Sequence, residues 1–116
     1  MIDKSKIFTI FSYIFIIYIS FLALIFIFQR SLMYFPIKEK ISKSFYKNTQ
    51  LNLIDINTSD GIILKSLYKK SEANINKTIL VFHGNAGHIG HRVKKFKTFI
   101  EKGYGLLLLE YRGYGE

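Results

Sequence analysis

The 116-residue chain contains no cysteine, so no disulfide stabilises it, and neither thiolate nor thiolate-zinc chemistry is open to it. It has one proline and only 8 acidic residues against 17 Lys and Arg, a formal charge of +9. Such a balance suits phosphates or anionic lipid. The lysines are scattered, however, arginines number only 3, and no recognition helix stands out. General compositional bias therefore explains the charge better than nucleic-acid binding. Charge is missing altogether from Ile7 to Phe28, 22 residues in a row.

At 1.5 Å per residue that run forms a helix of about 33 Å, enough to cross a hydrocarbon core of ~30 Å. Its small polar interruptions are Thr9, Ser12 and Ser20, whose hydroxyls can bond back to helix carbonyls. Tyr13 and Tyr18 fall inside the span, Lys4 and Lys6 flank one end, and Arg30 flanks the other. A cleaved signal peptide would have a shorter apolar region and a small-x-small site after it. Gln29 to Met33 offers none, so residues 1–30 are expected to be an uncleaved anchor that meets membrane lipid through residues 7–28. The helix has no polar stripe, which argues against a pore or transporter. Sidedness stays open. Two cations precede the span and five come after it, which places the C-terminal part in the cytoplasm by charge, whereas the layout of a signal anchor exports it.

Residues 31–50 read as a connector in which Pro36 stops any helix. Lys38 to Lys47, interleaved with Ile41, Phe45 and Tyr46, either lies on anionic headgroups or is a solvated linker.

Residues 51–116 carry an α/β pattern. Leu51–Asn57 and Ile62–Lys69 flank the Ser59-Asp60-Gly61 turn and predict an antiparallel hairpin. Thr78–Phe82 is a third strand. Ile89, Val93, Phe96, Phe99 and Ile100 then fall on one face of a helix predicted from about His88 to Lys102, with Gly103 as its C-cap. Gly105–Leu109 is a fourth strand, apolar on both faces, which belongs in the middle of a sheet. Strand–helix–strand from 78 to 109 is a right-handed crossover. Two loops collect at the C-terminal edge of these strands, where open α/β sheets keep their ligand sites. One is His83-Gly84-Asn85-Ala86-Gly87, and the other is Glu110-Tyr111-Arg112-Gly113-Tyr114-Gly115. The first, a Gly-rich turn between strand and helix, should leave several backbone N–H groups pointing at one spot, a geometry for an oxyanion.

These signatures, in this order, resemble the start of the α/β-hydrolase fold, in particular a membrane-anchored branch related to serine aminopeptidases, lipases and acyl hydrolases. That branch shows one N-terminal anchor and a Gln-x-x-x-x-Tyr-x-Pro connector, matched by Gln29, Tyr34 and Pro36. His-Gly-Asn-Ala-Gly and Asp-Tyr-Arg-Gly-Tyr-Gly follow. The resemblance covers essentially the whole chain. It implies an α/β fold with an N-terminal transmembrane helix followed by the first part of the hydrolase sheet, truncated before the nucleophile elbow. It implies a partial hydrolase domain at 51–116 and serine hydrolysis of ester, amide or thioester bonds without a cofactor. The N–H of Asn85 would be one oxyanion donor, with His83 and Gly84 shaping the loop. Glu110 stands where the family has Asp, and its carboxylate would tie down the Arg112 loop from one methylene farther out.

The catalytic triad itself is absent. No Gly-x-Ser-x-Gly occurs, and Ser5, Ser12, Ser20, Ser31, Ser42, Ser44, Ser59, Ser66 and Ser71 all precede the oxyanion loop. Without a nucleophile the chain is expected to form no acyl-enzyme, and to be marginal in stability unless a complementing hydrolase fragment or the membrane supports it. The alternative is an anchored binding protein whose edge strand recruits such a partner. His88 and His91, at i and i+3 on a helix, could share a metal, but a third ligand would have to come from the loop, where His83 points from a strand end, and no carboxylate is close except Glu101, three turns away, so no metal site is expected. The Tyr111-Arg112-Gly113-Tyr114 loop lacks a basic groove beside it, so nucleic acid is not expected either.

Overall fold

A computed structural model describes residues 3–115, which divide into two compact units between Tyr34 and Phe35. The first is a single helix, α1 (Lys4–Met33). Asp3 caps it by accepting from Ser5 N–H at 3.0 Å. The hydroxyls of Thr9 and Ser12 donate back to the carbonyls of Ser5 and Phe8, as expected, at 2.9 and 3.0 Å. Arg30 sits in the last turn, where the helix dipole favours a cation. By length and composition the helix is able to cross a membrane. It ends before Pro36, because the residue preceding a proline is driven to extended backbone, as Tyr34 and Phe35 already are.

The second unit contains β1 (Phe35–Pro36), β2 (Asn52–Asn57), β3 (Ile63–Lys69), β4 (Thr78–Phe82), β5 (Ala86–Gly87), α2 (Lys97–Glu101) and β6 (Gly105–Leu109). The main sheet has the order β2-β3-β6-β4. The hairpin register pairs Asn52 with Tyr68 and Asn57 with Ile63. β6 runs antiparallel to β3 and parallel to β4, so the apolar strand does lie in the middle and the connection from β4 to β6 is a crossover. Leu106 and Leu108 are fully buried on the face that packs with Leu67, Val81, Ile89, Val93 and Ile100. The opposite face is open at the β4 edge, where Leu80 and Phe82 are 52% and 56% exposed. A two-stranded parallel ladder, β1 with β5, stands apart from the main sheet.

Two expectations change. The helix predicted from 88 to 102 is wound as a 3-10 helix over Ile89–Phe96 and as α-helix only over Lys97–Glu101. A 3-10 helix advances about 120° per residue against 100° for an α-helix, so seven steps rotate the apolar face by about 140°. Ile89, Val93 and Ile100 remain inward, whereas Phe99 turns out and is 43% exposed. The C-cap stands as predicted. Gly103 takes φ +85°, its N–H bonds to the Ile100 carbonyl, and Tyr104 N–H bonds to the Phe99 carbonyl, the paired bonds of a Schellman ending. The stretch 31–50, expected to be a connector, also contributes to the core. Ile41 is buried to 4%, and a 3-10 turn at Lys43–Phe45 brings the Phe45 ring onto His88 and His91. Its apolar residues, interleaved with lysines, are the reason it folds back instead of staying solvated.

Candidate functional site

β4 ends at Phe82, and the next residue, His83, is buried to 7%. Its Nδ1 lies 2.8 Å from the carbonyl oxygen of Gly84. A carbonyl can only accept, so Nδ1 carries the proton of this bond. The Gly84 carbonyl and the Asn85 N–H belong to one planar trans peptide and point in opposite directions. Holding the carbonyl against His83 therefore fixes the direction of the Asn85 N–H, away from the imidazole. The Asn85 carbonyl is held as well, by Phe35 N–H at 2.8 Å and the Tyr114 hydroxyl at 2.9 Å.

On its other side, His83 Nε2 meets Glu110 Oε1 at 2.5 Å, with both side chains out of solvent. Glu110 also accepts Ile89 N–H at 3.0 Å and Tyr111 N–H at 3.3 Å. The longer side chain of Glu thus meets the His83 ring and two backbone N–H groups. The expectation that several N–H groups at the helix start would converge on an empty spot is corrected here. Glu110 takes the N–H of Ile89, and His88 Nδ1 accepts the N–H of Gly90 at 3.1 Å. The protein fills that anion position with its own carboxylate.

The second loop is tied down by Glu110 through Tyr111 N–H, as expected, and by a second acid that was not expected. Arg112 bonds through both terminal nitrogens to Asp60 in the hairpin turn, at 2.5 and 2.7 Å, and not to Glu110. The Thr58 hydroxyl beside Asp60, followed by Arg112, holds the Asp60 carboxyl down to about 2. Tyr111 and Tyr114 pack their rings on His83, with centroids at 4.5 and 5.1 Å. Gly115 N–H donates to the Ile37 carbonyl at 2.9 Å, and Gly113 and Gly115 take φ of +80° and +61° in the turn. The short strap of residues 35–37 thereby holds both loops, one through Phe35 and the other through Ile37.

His88 is fully buried and caps the 3-10 helix. Burial, and then the neighbouring His91, hold its imidazole below the ordinary histidine range. The His88 and His91 rings lie 4.0 Å apart, tilted at 36°. No cluster of three or more ligand residues occurs among the described residues. Beside His83 and Gly84 an open groove of about 320 Å³ runs along Phe82 and Phe96, with Arg92 and Lys95 on its wall. Arg92 is anchored through Nη2 to the Ala86 carbonyl at 2.5 Å.

Residues 83–87 and 110–115 are therefore brought together, as the topology required. Asp60, the 35–37 strap, Phe45 and the capping role of His88 were not read from the sequence. The one available signal was Asp60-Gly61, which marks a turn but not what the turn touches.

No protein-family model matches the chain. It is 39% identical over 100 residues to alpha/beta hydrolase domain-containing protein WAV2 of Arabidopsis thaliana, an alignment that takes in 80% of this chain and 32% of that protein. It is 32% identical over 97 residues to protein bem46 of Schizosaccharomyces pombe, covering 77% of this chain and 32% of that one. A shorter match, 41% over 51 residues, joins 42% of this chain to 13% of the lysophosphatidylserine lipase ABHD12 of Danio rerio. Among solved structures, the Pyrococcus furiosus esterase PF2001 aligns with 72% of this chain and 32% of its own, at 21% identity and a TM-score of 0.49. The chain spans about a third of the length of the first two relatives. With the hairpin, the crossover and both signature loops in place, the likenesses to WAV2 and bem46 establish that this chain belongs to the α/β-hydrolase fold family.

Proposed function

We propose that this chain is the membrane-anchored, oxyanion-loop part of an α/β-hydrolase acting on ester, amide or thioester bonds. The observation that carries the reading is the buried chain Glu110–His83–Gly84, which fixes the plane of the peptide bearing the Asn85 N–H. A donor held still before charge develops is the main requirement of an oxyanion hole. Helix α1 supplies the anchor. The relatives support hydrolysis, one of them being named a lysophosphatidylserine lipase. No Gly-x-Ser-x-Gly occurs in the 116 residues, so the nucleophile has to come from outside them, and alone they form no acyl-enzyme.

A second reading, an anchored binding fragment that pairs with a complementing chain without catalysis, is favoured by the exposed Leu80 and Phe82 on the open edge of β4. One experiment separates the two. The full chain in detergent is treated with a fluorophosphonate probe, alone and with a polypeptide carrying the serine elbow and the remaining triad of a relative. The hydrolase reading expects no label on this chain, and label on the partner's serine that falls about 100-fold when Asn85→Pro removes the donor N–H. Labelling of this chain alone would sink it. Tight association with no labelling of the partner favours the binding reading.

A further inference from the structure

Beyond α1 the chain carries Lys38, Lys40, Lys43 and Lys47 with a single acid among them, Glu39. All four lysines are exposed, and none forms an ion pair among the described residues. Elsewhere Lys65 is paired with Asp55 and Lys97 with Glu101. The segment is nevertheless held in place. The Ile37 carbonyl accepts from Gly115, Ile41 is in the core, and Ser42 caps the turn that seats Phe45 on the two histidines. Inward positions are taken by Ile41, Phe45 and Tyr46, which leaves the lysines to point outward from a fixed backbone. Just before them, Tyr34, Phe35 and Ile37 are 49%, 57% and 40% exposed, the aromatic and apolar composition that suits a headgroup layer. Lys38 is five residues past Met33, so even a fully extended chain places it no more than about 18 Å from the helix end.

We propose that residues 37–47 form a basic collar that binds anionic phospholipid headgroups, an inference that rests on the reading of α1 as a membrane anchor. Fixed outward cations cost less order on binding than a free linker would, and each is attracted to an anionic surface within a screening length of about 8–10 Å.

The test uses the full chain in nanodiscs of phosphatidylcholine, with and without phosphatidylserine, with amine acetylation and amide exchange both read by mass spectrometry. Anionic discs should slow acetylation of Lys38, Lys40, Lys43 and Lys47 by about fivefold each. Lys70, Lys77 and Lys102 should not change. Raising ionic strength from about 0.1 M to about 1 M should erase the difference. Protected α1 amides with identical lysine rates in both discs would overturn the collar and leave the anchor standing. Freely exchanging α1 amides would overturn the anchor and the collar together. Equal slowing of every lysine would mean general adsorption of a basic protein, and protection reproduced by inorganic phosphate in zwitterionic discs would mean a phosphate site. Either result refutes the collar.

Discussion

The loop after β6 is tied by two acid–base pairs that differ in burial and in what surrounds them. Glu110 and His83 meet out of solvent, with backbone N–H groups filling the remaining acceptor positions. Asp60 and Arg112 meet in water, about half exposed, with a bidentate geometry. The buried pair organises three segments around one carboxylate. The exposed pair joins two turns and organises nothing behind it. Burial, not bond length, decides which pair the fold depends on, because a buried group left without its partner keeps its desolvation cost and an exposed one is rehydrated.

The largest effect should follow from removing the buried acid. Glu110→Ala strands the His83 ring and the N–H of Ile89, and is expected to cost about 3–5 kcal/mol, read as a fall in thermal midpoint of the full chain in detergent. Glu110→Asp keeps the carboxyl group but shortens its reach to the His83 ring and two backbone N–H groups, and should lose about 1–2 kcal/mol. If Asp at 110 is as stable as Glu, the carboxylate is not stretched between segments, and the comparison of the two pairs loses its buried half.

A second test concerns acid. His88 has to be neutral to accept the Gly90 N–H, and burial and His91 hold its titration below the ordinary value of 6.5. The unfolded chain therefore binds a proton first, and stability falls as pH drops from the ordinary histidine value through the lower folded one. His91, Glu110, Glu39 and His83 face it. His88→Asn, which can still cap but does not titrate, should flatten the loss between about pH 7.5 and pH 5.5. An unchanged pH profile would assign the acid sensitivity to another group.

How much was legible follows the same division. Hairpin, crossover and both signature loops came through because they rest on local spacing: alternation, Asp-Gly, and Gly103 after an apolar stripe. What was missed depends on which residue ends up opposite which. Asp60 and Arg112 are 52 positions apart, and nothing in either loop names the other. Glu110 was visible as a departure from the family's Asp, but its use of the Ile89 N–H, 21 positions away, is a tertiary contact that local spacing does not show. The 35–37 strap was hidden because its strand, Phe35–Pro36, is too short to show an alternation.

A smaller and opposite effect is expected at Ser66. It is fully buried in β3 and its hydroxyl has no partner among the described residues. Removing an unsatisfied hydroxyl from an apolar layer should help, so Ser66→Ala is expected to raise stability by about 1 kcal/mol. No gain would mean that the hydroxyl is hydrated, and that this part of the β3 face is wetter than its burial implies.

The exposed pair should give the smallest effect of all on stability and the clearest one on titration. The carboxyl of Asp60 is held to about 2 first by the Thr58 hydroxyl and second by Arg112. Its depressed titration contributes stability that is present above the unfolded value of 3.8 and is lost only as pH falls through about 2. At neutral pH, Arg112→Ala should therefore leave the thermal midpoint within scatter, because both charges rehydrate. In a carbon-detected titration the Asp60 carboxyl should move up only part of the way, since Thr58 remains. Thr58→Val should move it further, because the larger of the two causes goes with the hydroxyl. A midpoint that fell as far for Arg112→Ala as for Glu110→Ala would show that the 111–115 loop needs both ties equally, and that burial does not rank them.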